Sequence, residues 1–187
     1  MNKFHALISF VILVFCGNTS SFGQICMGKA CEISFFSAAA LENISAVNKT
    51  SKPVMNTASG DFQVKISVRA FHFEKPLMEE HFNENYLETE KFPDAIFKGK
   101  INETLDYTKD GSYEVTVNGK FTIHGVEKER NGIKGKVTIK GSEIMVDASF
   151  PIHIADYNIK VPSLVVKNIA EDVDVKIVAT LEPYKKP

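Results

Sequence analysis

Residues 61–73 read DFQVKISVRAFHF, and the reading of this stretch decides the fold. Phe62, Val64, Ile66, Val68 and Ala70 share one parity, while Gln63, Lys65, Ser67 and Arg69 share the other. A period of two marks a strand with one face buried and one face wet. The aromatic positions then change parity, to Phe71 and Phe73. That switch predicts a β-bulge, or a strand that changes faces.

The alternation recurs on both sides of this stretch. Cys31, Ile33 and Phe35 open the series, and Ala95, Phe97, Gly99 and Ile101 add a middle member. Tyr113, Val115 and Val117 precede Asn118-Gly119, after which Phe121 and Ile123 resume the same parity. Ile133, Gly135, Val137 and Ile139 follow in a Gly-rich run. The longest run is Ile144, Val146, Ala148, Phe150, Ile152 and Ile154, and the last is Val173, Val175, Ile177, Ala179 and Leu181. Thr57-Ala58-Ser59-Gly60, Lys109-Asp110-Gly111, Arg130-Asn131-Gly132 and Lys140-Gly141-Ser142 separate runs and read as turns. Their Gly, Asn and Asp residues tolerate the positive φ of tight hairpins.

Roughly eight strands joined by short turns predict an all-β antiparallel sandwich or barrel. Two short helices are expected to interrupt it, at 38–47 (AAALENISAV) and at 76–90 (PLMEEHFNENYLETE). In the second, Glu80, Glu84 and Glu88 would repel along a helix face, so short turns of helix fit better than a long one. A barrel of about eight strands has room inside for side chains or for one slender ligand. The inward positions are almost wholly apolar, which leaves a packed core and a tunnel for an apolar chain both open.

The chain has 187 residues, 44% hydrophobic and 24% charged, with 22 basic against 23 acidic side chains. This describes one domain, and the near-neutral balance argues against nucleic acid as a partner. Met1-Asn2-Lys3, the apolar run Ala6–Cys16 and the polar stretch Gly17–Ser21 form the three-part pattern of an export signal, with cleavage expected after Gly23. A lipoprotein cut before Cys16 is the weaker alternative, because bulky Phe15 stands where such signals carry a small residue. The domain is then 24–187, no second apolar segment follows, and a periplasmic or secreted location is expected. The chain has 14 Phe and no Trp; Phe4, Phe10, Phe15 and Phe22 leave with the signal. Cys26 and Cys31 flank Met27-Gly28-Lys29-Ala30 and would form either a disulfide across a tight turn or two unpaired thiols.

Catalytic patterns are missing from the sequence. His72, His81, His124 and His153 lie on separate segments without zinc spacing, and no nucleophile elbow, phosphate loop or dinucleotide fingerprint occurs. No enzyme activity, metal or cofactor is expected.

Residues 79–101, EEHFNENYLETEKFPDAIFKGKI, are more particular. With 119–126, GKFTIHGV, they resemble the YceI-like family of exported, lipocalin-like proteins. HFNENYLETEKFPDAIF looks like the family's aromatic stretch that ends in a Lys-aromatic-Pro step and a strand. GKFTIHGV looks like its Gly-x-aromatic/Leu-Thr-Ile-x-Gly-Val strand and turn. Phe150-Pro151-Ile152 through Asp156-Tyr157-Asn158-Ile159 looks like its late Asp-aromatic-Gly-Ile segment, with Asn158 where many members have Gly. Asn also tolerates the left-handed conformation.

The resemblance covers 31–181 and implies an antiparallel lipocalin-like barrel holding a long isoprenoid- or quinone-like lipid. It also implies a bacterial periplasmic or secreted setting, frequent homodimers and no enzymatic residue set. An apolar tail gains about 0.8 kcal/mol per buried CH₂, so an apolar lining suffices for affinity. The candidate lining is Phe35; Phe62, Val64, Ile66 and Val68; Phe97; Phe121 and Ile123; and Val146, Phe150 and Ile152. Phe82, Tyr86 and Phe92 are the candidates to cap one mouth. The alternative is a packed barrel serving as an envelope interaction module, with 79–92 as its contact segment.

Overall fold

The period-two stretch forms strand β4, Asp61–Ser67, with Val64 and Ile66 buried and Asp61, Gln63, Lys65 and Ser67 exposed. The structure is a computed structural model and describes residues 24–38, 43–160 and 170–185. The expected signal at 1–23 lies outside the described residues.

The other strands are β1 Ile25–Ser37, β2 Ile44–Asn48, β3 Val54–Asn56, β5 His72–Phe73, β6 Asp94–Ile101, β7 Gly111–Ile123, β8 Val126–Lys140, β9 Glu143–His153 and β10 Asp172–Pro183. They make one antiparallel sheet, and pairing of β10 with β1 closes it. Eight strands form the closed barrel, with β2 and β5 as additions, β2 pairing with β1 and β5 with β2. Strand β3 takes the edge of β1 near its start and β2 takes the same edge near its end. Buried Asn48 spans that break: its Nδ2 donates to the Ser67 carbonyl at 2.9 Å, and its Oδ1 accepts from the Thr50 N–H at 2.9 Å.

The parity switch after β4 has a defined cause. A 3₁₀ turn at Val68–Ala70 ends β4, and the chain re-enters as β5 with Phe71 and Phe73 turned inward. Strand β4 pairs with β6 only as far as Ser67 opposite Asp94, whereas β5 pairs with β2. Beside this departure lies helix α1, Pro76–His81, begun by Pro76 at its first turn. One π-helical turn, Phe82–Tyr86, continues it and stops at Leu87.

Two local expectations are corrected, and one open alternative, at Cys26 and Cys31, is decided. The helix expected at 38–47 is not formed over its second half. Ile44–Asn48 is strand β2, because pairing with Ile33–Ser37 of β1 outweighs the helix-forming composition; residues 39–42 lie outside the described residues.

Arg130-Asn131-Gly132 is not a hairpin turn but a bulge inside β8. Ile133 pairs with Val117 and Arg130 with Gly119, so Asn131 and Gly132 together oppose Asn118. Gly132 has φ +70°, and its N–H donates to Asn118 Oδ1 at 2.9 Å. The β7–β8 hairpin instead turns at His124-Gly125, with φ of 49° and 73°, the double positive φ of a type I′ turn.

Cys26 and Cys31 are not bridged, and both are buried free thiols. They lie along one extended strand rather than across a turn. Five residue rises put them roughly 15 Å apart, far beyond the ~7 Å limit for a disulfide.

The end of the barrel that holds the start of β1 is solidly packed. Cys26, Met55, Ile101, Val115, Val137, Ile139, Ile144 and Leu181 meet there, all buried.

Candidate functional site: an apolar cavity at one barrel end

The opposite end is hollow. A cavity of about 600 Å³ lies among the last residues of β1 (Ile33, Phe35, Ser37), the start of β10 (Val173, Val175), and Ile66, Ile123 and Ile152. This size is within the usual range for small-molecule sites. Its roof is the helical segment, through Met78, Phe82, Tyr86 and Leu87, and its rim carries Lys75, Leu77 and His81. Leu77 is 61% exposed, an apolar side chain standing at the entrance.

Aromatic contacts seat the roof. The Phe82 ring stacks on Phe35 at 5.5 Å and meets Phe71 and Phe73 at 5.9 and 5.0 Å. Phe35 in turn meets Phe71 at 5.4 Å and Phe73 at 5.7 Å. Glu79 Oε2 accepts the Phe73 N–H at 3.2 Å, and Asn83 Nδ2 donates to the Glu79 carbonyl at 2.8 Å. Arg69 pairs with Glu90 on the outer side.

The far end of the roof segment is latched to the β7–β8 hairpin. His124 Nε2 lies 3.1 Å from Glu88 Oε2, and His124 Nδ1 lies 3.2 Å from the Tyr157 carbonyl. Both ring nitrogens thus face oxygen atoms, which holds the ring between the roof segment and Tyr157. The Phe92 ring packs edge-on against His124 at 4.5 Å. A Cβ on Gly125 would come within 2.6 Å of Phe92, so this turn needs Gly for space as well as for its positive φ. Glu88, His124 and Asn158 are the non-Gly residues with positive φ among the described residues, and all three belong to this latch or adjoin it. The Lys91 ammonium and the His124 ring beside Glu88 hold its carboxyl below the usual carboxylate range.

Among the described residues, polar groups around the cavity are few. Ser37 is buried, with its Oγ accepting the Ala170 N–H at 3.0 Å. Burial pushes the Tyr86 phenol up, so it stays neutral and able to donate. Among the described residues no cluster of His, Cys, Asp or Glu is arranged to hold a metal. His153 faces Asp172 at 3.0 Å.

Of the residues singled out from the sequence, the structure brings Phe35, Ile66, Val68, Phe82, Tyr86, Phe121, Ile123 and Ile152 to the cavity. The others are placed elsewhere. Phe97 and Phe150 lie behind Phe121 in a ring layer that fills the barrel. Val64 is packed in the core at 3% exposure, and Val146 is only half-buried against the core. Phe62 packs on Phe97 at 5.6 Å, beside a separate outer groove. Phe92 is taken by His124. For the five strand residues the reason is common: parity tells which face a residue takes but not its height along the barrel axis; Phe92 lies outside the strands and was never placed by parity. Phe71 and Phe73 were missed as lining, although their parity switch was the signal for it. Val173 and Val175 had the strand parity but nothing to mark their height, and Leu87 carried no signal beyond being apolar.

A closed antiparallel barrel with an apolar, partly roofed cavity at one end is the architecture of a lipocalin-like ligand-binding barrel. The chain belongs to the YceI-like family: residues 28–181 match the YceI-like domain. No curated protein matches it. Among solved structures it is similar to a polyisoprenoid-binding domain from Saccharophagus degradans implicated in plant cell wall breakdown, with a TM-score of 0.72 at 17% identity over 87% of this chain and 99% of that one. It is also similar to BcnA of Burkholderia cenocepacia, with a TM-score of 0.68 at 18% identity over 80% of this chain and 95% of that one. The YceI protein of Campylobacter jejuni gives a TM-score of 0.53 at 16% identity, covering 100% of this chain and 92% of that one. At these identities the likeness is one of fold.

Proposed function

We propose that this protein binds an apolar lipid, isoprenoid- or quinone-like, in the cavity and serves as its carrier or store rather than as a catalyst. One observation carries the reading: a cavity of about 600 Å³ walled by aliphatic and Phe side chains and roofed by an aromatic-seated helical segment. Apolar burial supplies the affinity, and the sparse polar groups at Lys75, His81 and Tyr86 meet a head group at the rim. The polyisoprenoid-binding description of the Saccharophagus domain supports the same class of ligand. A solid barrel acting as an interaction module fits less well, because residues of its supposed contact segment form the cavity roof instead.

The reading includes export on the 1–23 signal, so that the protein works in the periplasm or outside the cell. It also includes a homodimer, which light scattering would detect. Organic extraction of purified protein followed by mass spectrometry tests the ligand: a reproducible isoprenoid or related lipid is expected. A protein that is empty after native expression and takes up no added lipid would overturn the reading.

A further inference from the structure

The cavity stops well short of the barrel's length. Its contact with β1 runs from Ile33 to Ser37, four residue rises or about 13 Å, on a 13-residue strand about 40 Å long. On β10 it reaches only Val173 and Val175, and on β7 only Phe121 and Ile123.

Phe121 is its floor. Directly across the sheet Phe121 pairs with Phe97, and the rings meet edge to face at 5.6 Å and 89°. Phe150 closes the layer from β9, 6.2 Å from Phe121 and 6.4 Å from Phe97. Behind these rings the barrel is filled, with Val137 at 0% exposure, Ile139 at 2% and Ile144 at 3%.

The layer is also held in place. Gly99 and Gly119 face each other across β6 and β7, and the Phe97 ring rests over them. A Cβ on Gly99 would lie 2.7 Å from Phe97 Cε1, and one on Gly119 would lie 3.0 Å from Phe97 Cζ. A ring seated in a glycine notch, with no void behind it, cannot swing aside without displacing packed atoms.

We propose that Phe121, backed by Phe97 and Phe150, is an end stop that sets the length of tail the cavity accepts. The preferred ligand is then an amphiphile with a short apolar tail of a few isoprene units, not a long polyprenyl chain. This inference rests on the lipid-binding reading and narrows it. Each isoprene unit that is buried raises affinity by about tenfold or more. A unit that finds no room adds nothing, so the length profile should break.

The test offers wild-type protein and Phe121→Ala an equimolar mixture of prenols of two to eight isoprene units in non-ionic detergent. Native mass spectrometry reads which lengths are bound. Wild type should enrich the short prenols and show a break beyond which occupancy no longer rises. Phe121→Ala should move that break to longer chains, with about tenfold enrichment of the next length. Enrichment that climbs steadily to the longest prenol in wild type would overturn the end stop while leaving lipid binding intact. So would an unmoved break in a Phe121→Ala protein that melts cooperatively. If Phe121→Ala does not fold, Phe121→Leu and the wild-type profile decide the matter. Absence of any bound prenol in wild type would overturn the lipid reading, and the end stop with it.

Discussion

Cys26 and Cys31 show how much a single residue of register can decide. Positions 26 and 31 have opposite parity, yet both side chains are buried, because β1 shifts register against β10 between Gly28 and Ala30. The shift carries Cys31, Ile33 and Phe35 onto the inner face that Cys26 already occupies. Gly28 allows close approach of Pro53, whose Cδ would lie 2.5 Å from any Cβ there. Burial pushes the Cys31 thiol up to about 11 and raises Cys26 as well, so the reactive thiolate is scarce. Ellman's reagent at pH 8 should therefore label neither thiol in the folded protein and both after denaturation. Rapid labelling without unfolding, or a mass showing an oxidised pair, would contradict this placement.

At the scale of elements, the roof segment is held by side-chain contacts at both of its ends. Its helix buries no residue fully, so rings and latches fix it rather than helix propensity. Glu88 is central to the latch, with Lys91 and His124 as its partners. Its carboxyl is depressed in the folded state, so its contribution is complete above the ordinary value near 4.5 and is lost as pH falls through the lowered value. Glu88→Gln removes that contribution. Melting curves should place the variant below wild type above pH 5, with the gap closing as the pH is lowered. A gap that widens in acid would reverse the assigned sign.

Across the whole molecule the barrel is two different interiors end to end. Ile139 lies in the packed end at 2% exposure, while Ile152, at 6%, faces the cavity. Ile139→Ala should cost about 2–5 kcal/mol, because it opens a void among close-packed neighbours. Ile152→Ala should cost at most about 2 kcal/mol, since one side of that residue already lacks packed atoms. Urea denaturation of the two variants makes the comparison, and equal losses would mean that the cavity end is packed like the other.

Period-two alternation in 61–67, 95–101, 113–123 and 144–153 was legible because side-chain direction in a strand is set by the local backbone alone. The all-β antiparallel fold, the face each of these residues takes, the helix begun at Pro76 and the family blocks followed from the sequence. Strand β2 was not legible, because Ile44–Asn48 becomes a strand only by pairing with β1. Nor was the course of β8 through Asn131-Gly132, whose turn-like residues serve a bulge. Above all, the division between core and cavity was decided by tertiary structure. Phe97, Phe121 and Phe150 look alike along the chain, yet closure of the sheet packs Phe97 and Phe150 behind Phe121, where three rings together block the barrel. Volume is filled or left open by side chains from strands far apart in sequence, and only the closed barrel says which of them meet.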